Sequence, residues 1–204
     1  TRMVRISLCL YAIFIVASEV KAQESEKAEG HYRAGYELLT KRNFRNAAIE
    51  FEQAVNANPA YGEAHYLLAQ AYNVLNEYEK ATSAYEKARE LGIRPEKCTV
   101  ALGKLYNKSA ISSLQQRKYG EAVVRFEQAL ELDPNSAKTL YALGLSHNGN
   151  RNEKEAQNAF ERAVKADPQY AKAYYQIADI QRRRREYGPA STTYQKAIDA
   201  DAKY

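Results

Sequence analysis

The chain is 204 residues long, 45% hydrophobic and 27% charged, with a formal net charge of +5 at pH 7. A charge of that size, with both signs interspersed, gives no basic footprint for nucleic acid. Seventeen tyrosines against five phenylalanines and no tryptophan leave the aromatic packing to tyrosine, which carries a polar tip as well as a ring.

Met3-Val4-Arg5 gives a basic start, Ile6–Ala17 an apolar run, and Val20 and Ala22 small residues flanking Lys21. A run of 12 residues is too short to span a bilayer, which takes roughly 20. The pattern predicts a secretory signal peptide over residues 1–22 cut after Ala22, with an uncleaved membrane tether as the alternative. Cleavage removes Arg2, Arg5, Lys21 and Glu19, taking the net charge from +5 to +3. Cys98 is then the sole thiol, and no intrachain disulfide can form. Residues 23–27 form a charged lead-in.

From residue 28 onward the chain repeats itself. Tyr119–Pro134 reads Y-G-E-A-V-V-R-F-E-Q-A-L-E-L-D-P, and Phe44–Pro59 is a near copy. Ala47, Ala81, Ala122, Ala156 and Ala190 recur at intervals of 34, 41, 34 and 34 residues. A second set lies upstream: Gly35, Ala69, Gly103, Gly144 and Ala178, each 12 residues before its partner except Gly103, which is 19 before Ala122. The spacing predicts five helix pairs at 28–61, 62–95, 96–136, 137–170 and 171–204. The third carries seven extra residues within Lys104–Tyr119. Two helical turns keep the faces in phase, which predicts a lengthened helix pair rather than a loop.

Phe51 with Ala47 and Ala54 forms one stripe of a 3.6-residue period, so the second helix of each pair is amphipathic. Small residues on both helices let the backbones approach while the aromatic ring fills the space beside them. Asn58-Pro59, Asp133-Pro134 and Asp167-Pro168 end the second helices, because proline disfavours helix at the residue before it. A two-helix pair cannot bury such a face alone; stacking pairs does.

The 34-residue period, the Leu-Gly or Leu-Ala pair, the Ala–Phe/Tyr–Ala series and the closing proline resemble the tetratricopeptide repeat (TPR) family. The resemblance covers 28–204 and implies an all-α, right-handed α-solenoid of five helix-turn-helix repeats. It also implies a concave groove lined by the first helices, which binds a protein or peptide segment. The positions facing that groove are Tyr32, Tyr66, Tyr141 and Tyr175, with Val100 in the third repeat. One turn on are Tyr36, Gln70, Lys104, Leu145 and Asp179, and then Leu39, Asn73, Asn107, Asn148 and Arg182. A tyrosine row with amide and charged neighbours suits an extended peptide, since flat rings give contact area at low entropic cost.

Family members that hold chaperone C-terminal carboxylates use five polar side chains. The matching places are Tyr32, Tyr36, Leu67, Lys97 and Ala101; only Lys97 is of the required type, which argues against such a clamp. Arg182–Arg185 is a solvated turn or a contact for an acidic partner or anionic headgroups. Asn107-Lys108-Ser109 matches a glycosylation acceptor pattern only by chance on a helix. No metal-ligand spacing, phosphate loop or nucleophile elbow is present, so neither catalysis nor a cofactor is expected. The expected function is an exported, non-enzymatic scaffold of envelope or secretion assembly. The alternative is the regulatory or targeting region of a larger enzyme or assembly factor continuing past Tyr204.

Overall fold

Helices α1 (Arg2–Thr40), α2 (Phe44–Ala57), α3 (Gly62–Val74), α4 (Tyr78–Glu90) and α5 (Pro95–Gln115) are followed by α6 (Tyr119–Leu132), α7 (Ala137–Gly149), α8 (Glu153–Ala166), α9 (Ala171–Arg183) and α10 (Tyr187–Asp201). This computed structural model describes the backbone of residues 2–201 and the side chains of residues 19–201. The apolar run Ile6–Ala17, on which the signal-peptide expectation rests, lies outside the described side chains. The lead-in at 23–27 is helical and belongs to α1. The chain divides into two compact units, Thr1–Cys98 and Thr99–Tyr204. In the first, α1 packs on α2, α2 on α3 and α3 on α4; in the second, α6 through α10 pack each on the next. Each unit is thus a run of stacked helix pairs, the all-α solenoid architecture in which an element touches only its neighbours.

The alanine–aromatic–alanine stripe is the core of both units. Phe51, Phe126 and Phe160 are 0% exposed, as are Ala47, Ala122 and Ala156 one turn before them. Fully burying one such ring contributes about 1.5–3 kcal/mol. The small residues opposite have a definite use. A β-carbon at Gly35 would stand 2.8 Å from the Phe51 ring, and one at Gly144 would stand 2.4 Å from that of Phe160. The ring lies flat against helix backbone, and there is no room for a side chain between them.

The ends of the helices are also specified locally. The second helices stop at Asn58, Asp133 and Asp167, each the residue before a proline. The first helices end in the paired bonds of a Schellman motif, for example Asn43 N–H to the Leu38 carbonyl at 2.9 Å and Lys118 N–H to that of Ser113 at 2.9 Å. The left-handed residue of that motif is Arg42, Asn76, Arg117, Arg151 or Arg185, with φ of 58–63°. A non-glycine residue there costs roughly 1–2 kcal/mol.

The third repeat corrects the sequence expectation in two ways. Its seven extra residues are helical, but they lengthen α5 alone: α5 has 21 residues, whereas α6 keeps the 14 of α2 and α8. The packing point with α6 also moves, from Gly103 to Ala110, with the extra residues before it. Ala110 joins the buried cluster with Ala122 and Phe126, while Gly103 lies against Leu132 at the far end of α6. Ala110 to Ala122 restores the 12-residue spacing, and Ala110 to the left-handed Arg117 is seven residues, as Gly35 is to Arg42. Glycine is not required at this place: Ala69 and Ala178 fill it in the second and fifth repeats.

Candidate functional site

In the N-terminal unit, α1 and α3 present the first part of the row. Tyr32 is half-buried, with its ring 6.0 Å from Phe51, 6.5 Å from Tyr36 and 4.9 Å from Tyr61. Tyr61 precedes α3 and donates its hydroxyl to Glu29, which also receives Arg33 at 2.8 Å. Those hydrogen bonds hold the Glu29 carboxyl below its ordinary range, while burial and then Glu29 push Tyr61 well above its own. Tyr66 is 7% exposed, edge-on to Tyr85 at 5.7 Å and covered by the Arg94 guanidinium 4.9 Å from its centroid. It is therefore a packed rung rather than an open one, since the second-helix aromatic draws it inward. Tyr36 is 51% exposed, and Gln70 and Asn73 are half-buried on α3.

In the C-terminal unit the row changes character. The corrected register puts Asn107, not Val100, in the tyrosine place, and Ile111, not Lys104, one turn on. Lys104 is exposed two turns earlier on the same face of α5. Asn107 accepts a hydrogen bond from Thr139 at 3.0 Å and donates to the Gly103 carbonyl at 3.1 Å. A polar contact replaces the aromatic stack, and both ends of the amide are occupied, which accounts for the glycosylation match being incidental. Tyr141 is half-buried, 5.7 Å from Phe160 and 5.3 Å from Tyr170. Tyr175 is 54% exposed and edge-on to Tyr194 at 5.5 Å. Asp179 accepts from Arg182 at 3.2 Å and from Arg183 at 2.8 Å.

The arginine run is largely occupied by its own neighbours. Besides Asp179, Glu153 holds Arg183 at 3.5 Å and Arg184 at 2.7 Å, and Arg184 also reaches Gln157 at 2.7 Å. These bonds tie the end of α9 to the start of α8. Cys98 is fully buried, its thiol 3.3 Å from the Ile93 carbonyl and pushed up by desolvation, so it is a poor nucleophile. The third-repeat places for the carboxylate set move with the register to Lys104 and Lys108. Tyr32, Tyr36 and Leu67 still lack the required chemistry.

Tyr61, Tyr170 and Arg94 were missed as site residues. The signal was available: Tyr61, Tyr170 and Tyr204 occupy the same last position of their repeats. A turn residue before a helix is easily taken for a boundary instead of a packing group.

The tetratricopeptide repeat family model matches residues 32–95 and 141–204, and a TPR repeat model matches 114–150. The chain is 30% identical over 138 residues to the Hsp70-Hsp90 organising protein of Plasmodium falciparum, covering 67% of this chain and 24% of that protein. It spans about a quarter of the length of the curated relatives it matches. Among solved structures, YrrB, described as a TPR protein with an unusual peptide-binding site, superposes with a TM-score of 0.56 at 19% identity, over 92% of this chain and 93% of that one. MamA from Desulfovibrio magneticus RS-1 gives 0.51 at 20% identity, over 87% of this chain and 96% of that one. Likeness at such identities concerns the fold.

Proposed function

Because the chain belongs to the tetratricopeptide repeat family, we propose that it is a non-enzymatic scaffold whose first-helix faces bind an extended protein segment. The observation that carries this is the pair of exposed tyrosines, Tyr36 at 51% and Tyr175 at 54%, each standing beside a half-buried aromatic neighbour. Rings pinned on one side and open on the other offer apolar area already fixed in place, which lowers the entropic cost of binding. In the N-terminal unit Tyr32, Gln70 and Asn73 supply a polar edge, with Tyr66 packed beneath; in the C-terminal unit Tyr141, Asp179 and Arg182 do so. The peptide-binding site named for YrrB and the Hsp70-Hsp90 organising role named for the Plasmodium relative favour a protein partner.

Tyr175→Ala is expected to raise the Kd of a bound peptide about tenfold, a loss of about 1–2 kcal/mol. Isothermal titration with unchanged far-UV circular dichroism checks this. Unaltered affinity would remove Tyr175 from the site.

The leader pattern supports export, with cleavage after Ala22 or, as the alternative, a membrane tether. Mass spectrometry of secreted material should find Gln23 as the first residue, and a retained Met3 would exclude cleavage. A second reading has one observation in its favour: the match spans only 24% of the Plasmodium protein. On that reading these repeats are the targeting region of a longer assembly factor. The arginine run contributes little to either reading, because Asp179 and Glu153 offset much of its charge.

A further inference from the structure

The register fixed by Ala110 exposes a charge pattern that the glycine-based alignment hides. Six residues before the small residue of each repeat stand Glu29, Glu63, Lys104, Lys138 and Lys172. The acidic pair belongs to the N-terminal unit and is occupied internally. Glu29 is bonded by Tyr61 and Arg33, and Glu63 lies 3.4 Å from Arg94. The three lysines belong to the C-terminal unit, are exposed, and have no ion-pair partner among the described residues. Tyr141 and Tyr175 sit one turn further along the same helices. The carboxylate at the other end of that face, Asp179, is taken up by Arg182 and Arg183.

We propose that the C-terminal unit binds an extended acidic peptide whose carboxylates pair with Lys104, Lys138 and Lys172. This rests on the first-helix faces being the binding surface and adds the chemistry of the partner. Lys104, Lys138 and Lys172 hold the same place in successive repeats, so an extended strand running across the first helices meets each in turn. Apolar residues between its carboxylates reach Tyr141 and Tyr175. Like-charge repulsion rejects a basic segment on the same face.

The test uses the full chain and fluorescein-labelled ten-residue peptides, read by anisotropy at low and moderate salt. One peptide carries three glutamates among apolar residues, a second has glutamine in place of glutamate, and a third has lysine in place of glutamate. The first is expected to bind about tenfold or more tighter than the others, and the K104Q/K138Q/K172Q variant should erase that advantage while circular dichroism stays unchanged. Equal binding of the glutamate and glutamine peptides, with both weakened by Tyr175→Ala, would overturn the acidic partner and leave the binding face standing. No binding by any peptide would overturn both. Lysine-dependent binding to phosphatidylserine vesicles without binding to the first peptide would overturn the choice of occupant.

Discussion

Phe160→Ala is expected to destabilise the chain by about 3–5 kcal/mol, the range for removing a fully buried aromatic ring. Phe126→Ala should fall lower in that range, and the reason lies across the interface. Phe160 faces Gly144, which has no side chain to move into the vacated space, whereas Phe126 shares its cluster with the methyl of Ala110. Cavity cost depends on how far the walls can close, so the glycine-backed site should keep more of its void. Urea unfolding at 25 °C, with the denaturant slope checked for constancy, measures both values. Gly144→Ala sharpens the comparison. Alone it gains up to about 1 kcal/mol of helix propensity, but it places a methyl 2.4 Å from a buried ring, and overpacking of that kind typically costs 1–3 kcal/mol. In the Phe160→Ala background the same methyl fills empty space, so its effect should change sign. Equal losses for the two phenylalanines, with no reversal, would show that the ring does not rest against backbone.

How far these features could be seen in the sequence depends on whether a pattern is carried by composition or by contact. The five helix pairs were legible because Ala47, Ala122, Ala156 and their aromatic partners must recur wherever two helices close on a ring. The helix ends were legible because Asn58, Asp133 and Asp167 precede proline. The third-repeat register was not, because Gly103 and Ala110 are both small and lie two turns apart on one face. Only the ring of Phe126 decides between them. Arg117 is an independent marker, seven residues after Ala110 as Arg151 is after Gly144, but arginine gives no sequence signal for a left-handed position. In the candidate site, the positions of Tyr32, Tyr141 and Tyr175 could be listed from spacing, but their exposure could not. Tyr66 is buried because Arg94 covers it from the irregular turn after Gly92 and Tyr85 of α4 stands edge-on to it. The lysine column was concealed by the register, since counting from Gly103 places Lys97 rather than Lys104 beside Lys138 and Lys172.

Alkaline conditions are expected to destabilise the N-terminal unit progressively above about pH 10. Tyr85 is 4% exposed, and burial pushes its hydroxyl up to about 12. Tyr72 is 6% exposed and is raised further still, first by burial and then by its hydrogen bond to Glu52. In the unfolded chain both titrate near 10. Below that pH folded and unfolded chains hold the same phenolic protons, and these groups add no pH dependence. Above it the unfolded chain releases protons that the folded chain keeps, so the difference in bound protons is negative and stability falls as pH rises. Each tyrosine contributes about 1.4 kcal/mol per pH unit while its folded form remains protonated. Tyr85 alone therefore removes roughly 2 kcal/mol between pH 10 and 12. Urea midpoints measured from pH 7 to 11.5 should be level at first and then decline. Tyr85→Phe keeps the ring that packs 5.7 Å from Tyr66 and should make that decline shallower by one proton. Tyr72→Phe should do the same while leaving Glu52 unpaired, so it lowers stability at neutral pH as well. A midpoint that stays level through pH 11.5 would mean that these hydroxyls reach water in the folded chain, and the second-helix aromatics would then not be the sealed core on which the exposed tyrosines stand.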